Sequence, residues 1–257
     1  MGHIRVGRLP KRHGWDSVIA ALEAETKTDK QIMDEAARVA AKSLGVNRYQ
    51  GSLNLCYWLF LSLVRAARSD DFLGGLDQIG LNIRPDTSAA AFVAATTALA
   101  RSRLRESGWL AITDELALQA FQVAVGESVL QGATTLFGAD VESVQAALRA
   151  MSTKDSVAKV ARRFFSEFMY RVLARAFERQ ISDSLAAGGR FRSSDDLSEF
   201  HARLRTYCWD VSKLVEEYSG GWYSKHTWLG DVGEKQTGRF TGYAIDKLFS
   251  ELSSGAQ

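Results

Sequence analysis

Between Ser152 and Leu185 the chain contains no proline and no glycine, and its apolar residues recur at steps of three and four around a scaffold of arginines. Val157, Val160, Phe164, Phe168, Val172, Ala176 and Leu185 keep to helical spacing. Phe165, Met169, Leu173, Phe177 and Ile181 widen the apolar arc well beyond one narrow seam. A helix apolar over so wide an arc has to pack on more than one neighbour. Read as a single element it is roughly 50 Å long at 1.5 Å per residue, a central strut for a helical bundle.

The rest of the chain can supply that bundle. With 257 residues and 46% apolar side chains there is ample material for a real core. The 32 basic and 30 acidic residues leave a net charge of only +2, so no global field drives the protein onto nucleic acid or anionic lipid, and any such binding needs a local patch. Cys56 and Cys208 both fall in apolar helical stretches and match no metal or redox spacing, which points to buried thiols in a reducing compartment. The longest apolar run, Leu55–Val64, is interrupted only by Ser62 and is well short of the roughly 18–20 residues that span a bilayer. The basic N-terminus lacks an apolar segment of the secretory kind, and Val6 stands where a myristoylation signal needs Ser or Thr. A cytoplasmic location is the resulting expectation.

Only Pro10 and Pro85 are present, so helix ends are marked by caps and glycines. Thr28–Gln31, Ser152–Asp155 and Ser193–Asp196 each place a Ser or Thr three residues before Gln or Asp, close to a capping box. Gly45, Gly108, Gly138, Gly188-Gly189 and Gly220-Gly221 are candidate stops. The pattern predicts an all-α, mainly antiparallel bundle of about eight to ten helices, near 15–25, 29–44, 52–68, 87–107, 113–137, 140–151, 153–186, 194–219 and 237–253. Residues 1–14 form a basic arm and 15–257 a single helical domain. The stretch 70–86, with Gly74-Gly75, Gly80 and Pro85, is the one candidate internal boundary; its Leu and Ile content predicts a short packed helix and loop. Leu197, His201, Leu204, Cys208, Val211, Val215 and Tyr218 alternate by four and three, the spacing of a seam against another helix. The small residues Ala89 to Ala95 invite close helix approach.

Few constellations suggest chemistry. Lys30–Trp58 superficially resembles a helix-turn-helix, but Gly51 and Asn54 stand where its second helix needs apolar anchors. The glycines of 126–132 lack a following Lys-Ser/Thr and lie in a helical pattern, so they form no phosphate loop. His201 and Cys208 share a seam without a third ligand, and no metal or cofactor is expected. The arm carries His3, Arg5, Arg8, Lys11, Arg12 and His13 before the first acid, Asp16. It could track phosphates, lie across an acidic partner, or seal the bundle through Ile4, Val6, Leu9 and Trp15. Of Arg101, Arg103 and Arg105, only the first and last share a helix face. Arg162, Arg163, Arg171, Arg175 and Arg179 make a better stripe, with Glu167 and Glu178 in reach for internal ion pairing.

The segment from Gly220 to Gly230 is the best candidate site. Two glycines free the backbone, and Trp222, Tyr223, Lys225, His226 and Trp228 then crowd together before the last helix. Such a segment can anchor a protein partner or stack a planar group; alternatively it is a lid whose aromatics cap the bundle. With four histidines and no acid/base constellation, the expected function is a non-catalytic helical interaction or accessory subunit of a multi-component bacterial assembly. A glycine-rich basic arm followed by an all-helical body is distantly similar to accessory subunits of bacterial defence operons, a likeness that implies no site residues. The competing class is a nucleic-acid-binding accessory protein using Arg5, Arg8, Lys11, Arg12, Arg101 and Arg105, and an enzyme with an unfamiliar site around His226 is a third. Scattered, carboxylate-paired arginines favour the first class, and a continuous basic groove the second.

Overall fold

The structure, a computed structural model, describes residues 17–18, 27–44, 50–108, 112–132, 140–186 and 193–254. Among these are ten α-helices and no strand: α1 (Asp29–Leu44), α2 (Gln50–Ala66), α3 (Phe72–Gln78), α4 (Ala89–Glu106), α5 (Ile112–Gly132), α6 (Val141–Ala150), α7 (Lys154–Ala186), α8 (Ser194–Val211), α9 (Lys213–Leu229) and α10 (Glu234–Ser254). The all-helical bundle expected from periodicity is what forms. Of the predicted helix 15–25 only Ser17 and Val18 are described, and both are helical.

The strut is α7, 33 residues long. It packs on α1, α5, α8 and α9, as its wide apolar arc requires. Val157, Ala161, Phe164, Phe165, Phe168, Met169, Leu173 and Phe177 are all buried along it. Each large side chain removed from water contributes roughly 1.5–3 kcal/mol, so this one helix supplies a large part of the hydrophobic stabilisation. On one side Phe164 and Phe165 meet Tyr57 of α2 at 5.8 and 5.9 Å between ring centroids, and Tyr57 stacks on Phe240 of α10 at 5.2 Å. The core therefore runs from α7 through α2 to α10 as a layer of aromatic rings.

Caps end the helices largely where the residues ask for them. Thr28 and Gln31 bond reciprocally, backbone to side chain, at 2.9 and 3.3 Å, and Ser193 and Asp196 do the same at 3.0 and 3.1 Å. At α7 the cap sits one residue later than predicted: Thr153 Oγ1, not Ser152, accepts from the Ser156 amide at 3.2 Å. Gly108 and Gly230 close α4 and α9 with φ of 71° and 69°, the left-handed conformation that glycine adopts without a Cβ penalty. Residues 70–86 form the expected short helix, α3, and loop, with Leu76 and Leu81 buried. The end of α2 is tied down by α6: Arg149 donates to the Ala67 carbonyl at 2.9 Å and Gln145 to the Ser69 carbonyl at 3.0 Å, which satisfies oxygens left without helical partners.

Two expectations need correction. The predicted helix 194–219 is two helices, broken at Ser212, a buried residue at φ −71°, ψ −4° that ends α8 and starts α9. The seam of Leu204, Cys208 and Val215 is buried as expected but is carried by both helices. The second correction concerns Gly220-Gly221, which is neither a stop nor a loose entry: both residues lie inside α9. A Cβ on Gly220 would stand 2.8 Å from the carbonyl oxygen of Lys154 and 2.8 Å from its Cγ, whereas one on Gly221 meets nothing within 4 Å. Gly220 is the point where α9 touches the first turn of α7, and a side chain there would hold them apart.

Candidate protein-interaction site

Because the 220–230 segment is helical, its aromatics are distributed around α9 and do not form one cluster. Tyr223 faces inward and is 2% exposed. Trp222 is half-buried, its ring 4.5 Å from Phe240 and 4.9 Å from His226. Residues 222 and 228 are six apart, and six helical steps of about 100° put them on well-separated faces. Trp228 accordingly stands out in solvent, 85% exposed, with the 49%-exposed Leu229 beside it. Lys225, also exposed, lies one turn back on the same side.

His226 fixes the end of the helix beneath this tip. Its Nδ1 lies 2.7 Å from Asp231 Oδ1, and its backbone carbonyl accepts the Asp231 amide at 3.1 Å. The chain is thereby turned sharply toward α10, with Val232 buried and its carbonyl bound by Arg65 at 2.8 Å. Trp222 and His226 hold the turn, and Trp228 projects from it.

Among the described residues, most of the arginines named above are held by carboxylates or backbone carbonyls. Arg101 pairs with Glu115 at 3.2 Å, while Arg105 is exposed. Arg103 was expected to point away from these two, and it does: it turns inward, donates to the Ile79 carbonyl at 2.6 Å and lies over the Trp58 ring at 5.1 Å. On α7, Arg162 binds Glu216 at 2.8 Å and the Trp209 carbonyl at 3.0 Å. Arg163 binds Glu127 at 3.1 Å, and Arg171 binds Glu167 at 2.6 Å. Arg175 is exposed, and the side chains of Glu178 and Arg179 lie outside the described residues. Arg5, Arg8, Lys11 and Arg12 also fall outside them.

Sequence reasoning did not anticipate Arg205. It reaches from α8 to Glu167 at 2.7 Å, so this buried carboxylate bridges two guanidinium groups, and its own guanidinium covers the Tyr170 ring at 3.8 Å. Tyr170 in turn hydrogen-bonds His201 Nδ1 at 3.2 Å, which accounts for that histidine as a structural residue of the seam. The one available signal was position, since Arg205 follows Leu204 immediately beside the seam, where charged residues commonly bridge paired helices.

Burial pushes the pKa of both thiols up, with nearby carboxylates, Asp114 for Cys56 and Glu167 for Cys208, adding to it. Neither thiol is an activated nucleophile as folded. Among the described residues no group of three His, Cys, Asp or Glu side chains is placed to hold a metal, and no helix is long and apolar enough to cross a membrane. No protein family matches the chain, and no curated protein or solved structure is significantly similar to it.

Proposed function

We propose that the protein is a non-catalytic helical interaction subunit of a multi-component assembly, and that the tip of α9, centred on Trp228 with Leu229 and Lys225 around it, is its contact with a protein partner. The observation that carries this reading is the 85% exposure of Trp228 on a helix that anchors its other aromatics inside. A large ring left in water gains the most when a partner pocket receives it, and tryptophan is enriched among residues that dominate binding energy. Engagement of Arg101, Arg162, Arg163, Arg171 and Arg205 by four carboxylates supports this class over a nucleic-acid binder, because these guanidinium groups are held within the fold.

The test is quantitative co-purification from the native host with wild type, Trp228→Ala and Trp222→Ala, followed by affinity measurement on the recovered partner. Trp228→Ala is expected to change folding stability by no more than about 0.5 kcal/mol, as for an exposed site, and to weaken partner binding by about 2 kcal/mol or more. Trp222→Ala is expected to cost about 2–3 kcal/mol of folding stability, since it removes the ring packed on Phe240. Unchanged partner affinity in folded Trp228→Ala refutes the assignment. Binding of nucleic acid by the wild type, with an affinity that falls steeply with salt, would replace it with the competing class.

A further inference from the structure

A second surface feature is not used by the α9 tip. Helices α1, α8 and α9 and the end of α10 enclose an open groove of about 780 Å³. Its rim carries the acidic Asp210 and Glu217 and the basic Lys30, while Asp29 and Arg203 pair with each other. Arg203 is also engaged by Glu199, so the Asp29–Arg203 pair adds little charge of either sign to the groove. The apolar lining comes from Met33, Tyr207, Val211 and Leu214. Asp210 and Glu217 are exposed, one on each side of the α8–α9 break.

We propose that this groove is the seat of the chain's own basic arm, residues 3–13. The arm matches it in both respects. Arg5, Arg8, Lys11 and Arg12 answer the acidic rim, and Ile4, Val6 and Leu9, interleaved among them, answer the apolar lining. Geometry also permits it. Ser17 donates to Glu35 of α1 at 2.7 Å, which places the root of the arm on the helix that forms one wall. Twelve residues of extended chain reach about 40 Å, several times the roughly 10 Å diameter of a helix, so the arm can round α1 and enter. The groove is thus an acceptor for a basic, apolar-dotted extended segment, and the chain carries such a segment within reach.

The experiment uses the full chain. Tryptic cleavage at Arg8, Lys11 and Arg12 is followed by mass spectrometry in the wild type, in Asp210→Lys/Glu217→Lys, and in Asp77→Lys/Glu142→Lys, which makes the same net charge change on α3 and α6. The groove variant is expected to lose the arm about tenfold faster than wild type at low salt, and wild type to approach that rate near 0.5 M NaCl, where charge screening acts within about 4 Å. The α3/α6 variant is expected to match wild type. Zero-length carbodiimide cross-linking should join Lys11, the arm's one lysine, to Asp210 or Glu217 within a single chain. Equal cleavage rates in all three proteins, or acceleration in both variants alike, overturns the proposal. Cross-linked product at twice the chain mass also overturns it, by seating the arm in a second copy.

Discussion

Alanine at the two adjacent glycines of α9 should move stability in opposite directions. Both residues sit inside the helix, where replacing glycine by alanine gains about 0.8–1.0 kcal/mol of intrinsic propensity through the unfolded chain's lost freedom. At Gly221 a Cβ has open space, so Gly221→Ala should realise most of that gain, about 0.5–1 kcal/mol. At Gly220 the same gain is opposed by a Cβ 2.8 Å from the Lys154 carbonyl oxygen, several tenths of an ångström inside comfortable contact. That atom is backbone and cannot swing aside, so α9 and the start of α7 must separate. Overpacking of this kind costs about 1–3 kcal/mol, and the net effect is a loss near 1 kcal/mol. The two variants should thus differ by about 2 kcal/mol, which at roughly 2–4 °C per kcal/mol for a chain of this size is a Tm gap of about 4–8 °C. Urea titrations with equal m-values would show that the difference lies in the folded state. Equal stability of the two variants, or stabilisation by both, would refute the close approach of α9 to α7.

Further outcomes follow from the buried polar groups. Tyr57 is 1% exposed and its hydroxyl has no hydrogen-bond partner among the described residues, so Tyr57→Phe should leave stability unchanged or raise it by up to about 1 kcal/mol; a loss above about 1 kcal/mol in urea would show that the hydroxyl is satisfied after all. Burial raises the pKa of Cys56 and Cys208 above the ordinary 9.0, and of Tyr57, Tyr207 and Tyr218 above 10.0. The unfolded chain therefore releases these protons first, and stability should hold below about pH 8 and fall as pH rises past 9 to 10. Urea midpoints measured from neutral to strongly alkaline pH check this, and a flat profile through pH 11 would contradict it.

What the sequence made legible was periodicity. The arc of α7 predicted both the helix and its several neighbours because each buried apolar side chain, from Val157 to Phe177, sits where a repeat of about 3.6 residues puts it. The break at Ser212 was not legible, since neither proline nor glycine marks it and the four-three alternation of Leu204, Cys208 and Val215 runs straight through. The Gly-Gly pair was misread for a definite reason. A glycine chosen for backbone freedom and one chosen for lack of volume are the same letter, and only the position of Lys154 separates the two roles. Arg103 shows a similar limit: helical geometry correctly set it apart from Arg101 and Arg105, but which face looks inward depends on Trp58 and Ile79, distant in sequence.

Once α9 is seen to begin at Lys213, one helix carries both proposed surfaces. Leu214 and Glu217 line the groove, and Trp228 stands about 16 Å further along the axis, at 1.5 Å per residue. Between them Gly220 lies against the first residue of α7. A displacement of α9 at that contact would move the groove wall and the exposed tryptophan together, because a packed helix shifts as a rigid unit. Gly220→Ala should consequently alter both arm protection and partner affinity in the folded protein, whereas Gly221→Ala, which touches nothing, should alter neither. If Gly220→Ala changes one readout alone, the two surfaces do not report on a common helix position, and the altered one identifies the end of α9 that yields.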